Sequence, residues 1–236
     1  LGVDNMNIFG IIGAMDEEVE LIKNSMIIDK TVEKAGCTFL LGKINDKNVV
    51  VVRCGIGKVN AAMCTQILID IFNVDAVINT GVAGAIADGI KVGDVIVSED
   101  ALQHDMDCSP LGDPIGVIPR MKESIFKADK RLIDAAFSAS KKIIEGNTSL
   151  GRVVSGDQFI ADAELKNKLK TNFSAGCAEM EGAAIAHICY MNSVPYVIIR
   201  NISDSSDGSA DISFTEFCKT AAEHSGKIVL EMLQNI

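Results

Sequence analysis

Short apolar runs of strand length alternate with longer amphipathic runs along almost the whole chain, and that rhythm leaves few folds open. Residues 7–12 (NIFGII) read as a buried strand ending at Gly13. Residues 16–25 follow with Asp16, Glu17 and Glu18 in the first turn and Val19, Leu21, Ile22 and Met26 near helical spacing, acids placed to suit the helix dipole. Residues 38–44 and 48–53 read as a hairpin around Asn45-Asp46. Lys58–Phe72 carries a helical pattern in Val59, Ala62, Met63, Ile67 and Ile71. A strand at 76–79 runs into Thr80-Gly81-Val82-Ala83-Gly84, and another occupies 92–98, before an irregular Gly- and Pro-containing segment at 102–120. The second half keeps the rhythm: helices at 128–144, 161–170, 180–191 and 214–233, strands at 150–155 and 196–201.

Strands that are apolar on both faces and alternate with helices predict an α/β fold, a single-domain three-layer α/β/α arrangement around a central twisted, mostly parallel mixed sheet. No repeat or linker divides the chain, so residues 6–236 read as one domain, with residues 1–5 (LGVDN) a cloning remnant or an alternative start before Met6. The 236 residues suffice for a core without disulfides or metal. Seven cysteines stand apart with no C-x-x-C pair, most of them in apolar runs. Together with the lack of a signal-peptide pattern, this predicts a reducing, cytoplasmic setting. No apolar run reaches the ~18 residues of a membrane span. The 32 acidic against 22 basic residues, a net charge of −10, disfavour partners recognised through phosphates, nucleic acid and anionic membranes among them. No Trp and 5% aromatic residues argue against base stacking along a strand of nucleic acid. A neutral or cationic small ligand fits this balance.

In such sheets ligands sit beyond the carboxyl ends of the strands. Generic motifs fail there. Gly55-Ile-Gly-Lys58 is half a phosphate loop followed by Val59, and the Gly10-x-x-Gly13 turn runs into three acids that would repel a pyrophosphate. His104, His187 and His224 lack metal-ligand spacing, so neither metal nor cofactor is expected. What remains is a set of carboxylates. Glu18, taken alone, reads as a solvated first-turn acid, and Glu179 and Glu181 as acids opening an apolar helix that must bury at least one of them. Asp204 reads as a helix cap after a central strand whose Arg200 needs an acidic partner. Converging at one sheet edge, they fit acid–base chemistry, which needs carboxyls in contrasting environments.

The segments GIIGAMDEEVELI, GIGKVNAA, INTGVAGAI, VGDVIVS, SGDQFI, AEMEGAAIAH and VIIRNISDSSD, in this order over nearly the whole chain, resemble the 5′-methylthioadenosine/S-adenosylhomocysteine nucleosidases of the nucleoside phosphorylase superfamily. The resemblance implies a nucleoside phosphorylase-like fold and hydrolysis of the adenine–ribose bond through an oxocarbenium-like transition state, in methionine salvage and methyl-cycle recycling. It implies Glu18 as general base on water, ordered with help from Arg200. Glu181 would hold the ribose hydroxyls and the developing cation, with Glu179 and Met180 beside it, and Asp204, held by Ser203, would protonate adenine N7. Ile160 would read the adenine edge through its backbone, Phe159 would stack on the purine, and Phe214 would lie along the alkylthio side. Met15, Ile56, Val82, Ala83 and Gly84 complete the expected substrate site. Where the family usually has Ser in NTGSAG this chain has Val82, which bears on the water network near Glu18. Cys108, Leu111 and Pro119 match positions that reach into a neighbouring subunit's alkylthio pocket, implying a homodimer. The rival readings are a phosphate-dependent phosphorylase, an aminodeoxyfutalosine nucleosidase of menaquinone synthesis, and a non-catalytic nucleoside-binding protein. The first would carry a phosphate motif where this chain has Ala14-Met-Asp-Glu-Glu18. The last would lack one of the three carboxylates.

Overall fold

The computed structural model describes residues 8–204 and the backbone from Ala210, with side chains from Phe217 onward. Residues 1–5 and the Phe214 side chain lie outside the described residues. The chain begins with β1 (Ile8–Gly13), α1 (Asp16–Asn24), β2 (Ile27–Lys34), β3 (Cys37–Ile44), β4 (Lys47–Arg53), α2 (Lys58–Phe72), β5 (Ala76–Ala85) and β6 (Val95–Gln103). A short 3-10 turn at Ser109–Leu111 and the two-residue β7 (Phe126–Lys127) lead to α3 (Lys130–Ile143), β8 (Thr148–Ser155) and α4 (Ala163–Phe173). β9 (Ala175–Glu179), α5 (Gly182–Asn192), β10 (Tyr196–Asp204) and α6 (Ala210–Gln234) complete it.

Ten strands form one mixed sheet. β4, β1, β5 and β10 run parallel as neighbours, as do β6, β8 and β9, while β10–β6 and β5–β9 are antiparallel. Those two antiparallel joints close β5, β10, β6, β8 and β9 into a ring, a closure the sequence rhythm did not announce. The hairpin read around Asn45-Asp46 is β3–β4, and β2 adds an edge strand that is exposed along most of its length.

Helices cover both faces because strand residues alternate between them. Phe9, Ile11, Ile78, Val197 and Ile199 pack against α1, α3 and α6. Ile12, Val77, Ile198 and Ile202 pack against α2 and α5. Each fully buried side chain of this size contributes roughly 1.5–3 kcal/mol of burial. Asp129 caps α3 by accepting from the Arg131 and Leu132 amides, and Asp162 caps α4 by accepting from the Leu165 amide at 2.8 Å. The α5 helix, apolar on nearly every side, is buried from Gly182 to Ala186.

Three boundaries beside the site differ from the sequence reading, each for a local reason. The strand expected at 76–79 continues through the glycine-rich run to Ala85, because β10 and β9 supply ladder partners there. Glu179-Met180-Glu181 does not open the helix: Glu179 ends β9 and Glu181 is the residue before α5. Asp204 is not the cap of α6, which starts at Ala210; it closes β10.

Candidate active site

The carboxyl ends of β1, β5, β9 and β10 surround a cavity of about 370 Å³. Glu18 stands in the first turn of α1, yet it is buried, against the solvated position expected of a lone first-turn acid. Its Oε2 accepts from the Ala14 and Met15 amides at 2.7 and 3.0 Å, and its Oε1 accepts from the Val82 amide at 3.0 Å. The side chain thus reaches back to cap its own helix while tying β1 to β5. Burial pushes its pKa up; the Arg200 charge and the three amides pull the other way without cancelling that rise.

Arg200 is fully buried in β10 and finds the acidic partners its position demanded. Its Nη2 donates to Asn79 Oδ1 at 2.6 Å and to Glu179 Oε2, and lies 3.9 Å from Glu181 Oε2. Its Nη1 is 4.0 Å from Glu18 Oε1. Guanidinium and carboxylates approach across β5 at Gly81, where a Cβ would fall well inside contact distance of both Arg200 and Glu18.

The two acids after β9 have different work. Glu179 accepts from the Glu181 and Gly182 amides at the start of α5, from Ser155 Oγ and from Arg200. It is fixed by the fold, and its place on the cavity wall is that of a support. Glu181 is held through Oε1 by the Gly57 amide at 2.8 Å. Burial first, and the Glu179 charge second, raise its pKa to about 8, with Arg200 and the Gly57 amide opposing. Asp204 is buried at the end of β10, with Ser203 Oγ donating to its Oδ1 at 3.1 Å. Gly84 makes room for it, since a Cβ there would sit 2.7 Å from Asp204 Oδ2.

Of the expected site residues, Met15, Glu18, Ile56, Val82, Ala83, Gly84, Phe159, Ile160, Glu179, Met180, Glu181, Ser203 and Asp204 all line the cavity. Arg200 stands behind the wall they form. Val82 packs against Ala221 and Ala222 of α6 near Met15, an apolar setting that suits a valine where the family usually has Ser. Cys108, Leu111 and Pro119 do not line the cavity; Leu111 is 83% exposed. His104 is buried, and His187 stacks on Phe126. Sequence reasoning missed Ser155, the Gly57 amide, Gln158 on the wall, and Lys166, a buried lysine on α4. For Lys166 a signal existed: it shares the i, i+3, i+7 stripe of α4 with Leu169 and Phe173.

Comparison with known proteins gives the family. The model of the phosphorylase superfamily matches residues 8–234. A 5′-methylthioadenosine/S-adenosylhomocysteine nucleosidase of Oceanobacillus iheyensis is 41% identical over 228 residues, covering 96% of this chain and 99% of that protein. The Neisseria meningitidis nucleosidase of the same name, solved with methylthio-immucillin-A, superposes with a TM-score of 0.93 at 39% identity, covering 98% of this chain and all of the other. A futalosine hydrolase of Helicobacter pylori superposes with a TM-score of 0.92 at 32% identity, covering 98% and 99%. The chain belongs to the phosphorylase superfamily and, within it, to the 5′-methylthioadenosine/S-adenosylhomocysteine nucleosidases.

Proposed function

We propose that this chain is an N-glycosyl hydrolase that cleaves 5′-methylthioadenosine and S-adenosylhomocysteine, and also 5′-deoxyadenosine, into adenine and the corresponding ribose derivative. One observation carries the choice of water over phosphate. A helix N-terminus is a ready anion site, and at α1 that site is filled by the chain's own Glu18 carboxylate, which takes the Ala14, Met15 and Val82 amides. A phosphate would have to displace it and then face Asp16 and Glu17. A base on water needs no such displacement.

In this reading Glu18, its pKa raised by burial, takes a proton from water as the oxygen bonds to C1′. Arg200 Nη1 faces that carboxylate and helps to order the water. The C1′–N9 bond breaks, its electron pair passes into the purine, and Asp204 gives N7 a proton. Glu181 accepts from the ribose hydroxyls, and both those donors and the positive charge growing at C1′ favour its ionised form. An anion that gains most when the sugar becomes cationic speeds the step more than it tightens binding. Phe159, Ile160 and Met180 flank the purine and sugar.

Homodimerisation belongs to the same proposal. It is supported by large apolar side chains exposed at the pocket rim and in the segment after β6: Ile56 (54%), Phe159 (49%), Leu111 (83%) and Ile115 (42%). Cys108, Leu111 and Pro119 would then complete the partner's alkylthio wall.

The test is adenine release from methylthioadenosine in phosphate-free buffer, expected at full rate. A strict phosphate requirement would overturn the hydrolase reading. The structural likeness to a futalosine hydrolase supports a second reading, turnover of aminodeoxyfutalosine. Comparing kcat/KM for methylthioadenosine, S-adenosylhomocysteine, 5′-deoxyadenosine and aminodeoxyfutalosine decides between them, the first two being expected to lead.

A further inference from the structure

Behind Asp204, away from the cavity, lies a second buried charge. Lys166 sits on the inward stripe of α4 with Leu169 and Phe173 and is 3% exposed. A lysine is almost never buried this deeply without a partner, because its ammonium loses water. Its Nζ is 3.6 Å from Asp204 Oδ2. It does not line the cavity, so it meets Asp204 without standing among the residues that would meet a substrate.

Among the described residues, Glu18 from α1, Glu179 from β9 and Glu181 before α5 share this end of the sheet, while burial keeps the Cys177 thiol of β9 neutral. The only cation on β10 itself is Arg200, whose contacts go to Glu179, Glu181 and Glu18. Asp204 is itself buried, so the negative charge left on it when its proton moves to N7 calls for a cation within reach.

We infer that Lys166 is a positioning residue acting through Asp204: its ammonium balances the negative charge left on that carboxylate when the proton moves to the departing purine. The inference rests on the proposed role of Asp204. In the step itself the Asp204 O–H bond breaks, the N7–H bond forms, and the pair from C1′–N9 enters the ring. The new carboxylate is left facing Lys166 through Oδ2 and Ser203 through Oδ1. A cation there makes Asp204 a stronger acid. It also sets where the enzyme stops working on the alkaline side, since kcat/KM falls once Asp204 has lost its proton in the free enzyme.

The test compares Lys166→Met, Lys166→Gln and Lys166→Arg by pH profiles on methylthioadenosine, with Tm measured for each. The Met and Gln variants are expected to lose about 10- to 100-fold in kcat. Their alkaline limb of kcat/KM should move up by about one pH unit, with KM little changed. Arg should restore both. An unmoved limb in the folded Gln variant overturns the inference, as does an equal loss in all three variants, which would mark a packing role. Asp204→Asn separates the two levels. If that variant turns over normally, the reading of Asp204 as the acid fails. If it is inactive while Lys166→Gln matches the wild type in rate and limb, only the role of Lys166 fails. In the Asp204→Asn background, Lys166→Gln should cost nothing more.

Discussion

Glu181 has its pKa raised to about 8 by burial and by the Glu179 charge. The native state therefore binds the Glu181 proton more tightly than the unfolded chain, whose value is 4.5. The stability it contributes is fully present below about pH 4.5 and is lost as pH rises through about 8. Glu18 is shifted in the same direction by its own burial. Glu181→Gln, which stays neutral, is expected to flatten the fall of Tm between pH 5 and 8 and to raise Tm at pH 8 by several degrees. The same variant should lose at least ~100-fold in kcat, since a neutral amide cannot match a growing cation as well. Thermal scans at pH 5, 6.5 and 8 check the first part; parallel curves for variant and wild type would contradict it. At this scale the sequence displayed the acids and concealed their surroundings. Glu18 looks like any first-turn acid until β5 is laid beside it and Val82 offers an amide from 64 residues away. Glu179 and Glu181 are two residues apart and chemically alike, and only Ser155, Arg200 and Gly57, brought in by other strands and turns, make one a support and the other a candidate for the sugar.

The β5 and β10 strands make the site possible as elements. In their parallel register Arg200 stands opposite Gly81 and Asp204 opposite Gly84. Those glycines are three residues apart on β5 and their partners four apart on β10. A register shift between Ile202 and Asp204 absorbs the difference. Each glycine leaves the volume its neighbour's functional group occupies. Gly81→Ala is expected to cut activity by at least about 100-fold and to destabilise the fold, because its methyl would meet both Arg200 and Glu18. Near-normal kcat in a folded Gly81→Ala would show that the pair can separate without consequence. The Thr80–Gly84 run was legible as a strand end but not as a strand, since Gly81, Ala83 and Gly84 disfavour strands and the run is held by β9 and β10. Small size hid β9 as well, while β2, exposed and charged, carries no apolar pattern to betray it. The helices and the β3–β4 hairpin, where apolar period and turn chemistry agree, were read correctly to within a few residues.

For the whole molecule, the proposed dimer would cover the apolar rim. Leu111→Asp is expected to shift the proposed dimer to monomer in sedimentation and to raise KM for methylthioadenosine at least tenfold, about 1.4 kcal/mol of lost contact. Wild-type specific activity should likewise fall on serial dilution. A monomeric wild type with undiminished activity would remove the shared pocket from the proposal. One architectural feature also bears on how the chain comes to have an active site at all. The ring of β5, β10, β6, β8 and β9 closes through partners far apart in sequence, and Arg200 meets Asn79 across 121 residues. Hairpins and helices can form early from local contacts, whereas pairings of this reach are the slow ones. Until β10 docks on β5, Arg200 has no place between Glu18 and Glu179, and Asp204 has no glycine to lie against. During refolding, helical signal is expected to return first and adenine release last, as stopped-flow dichroism and an activity assay on one time base would show.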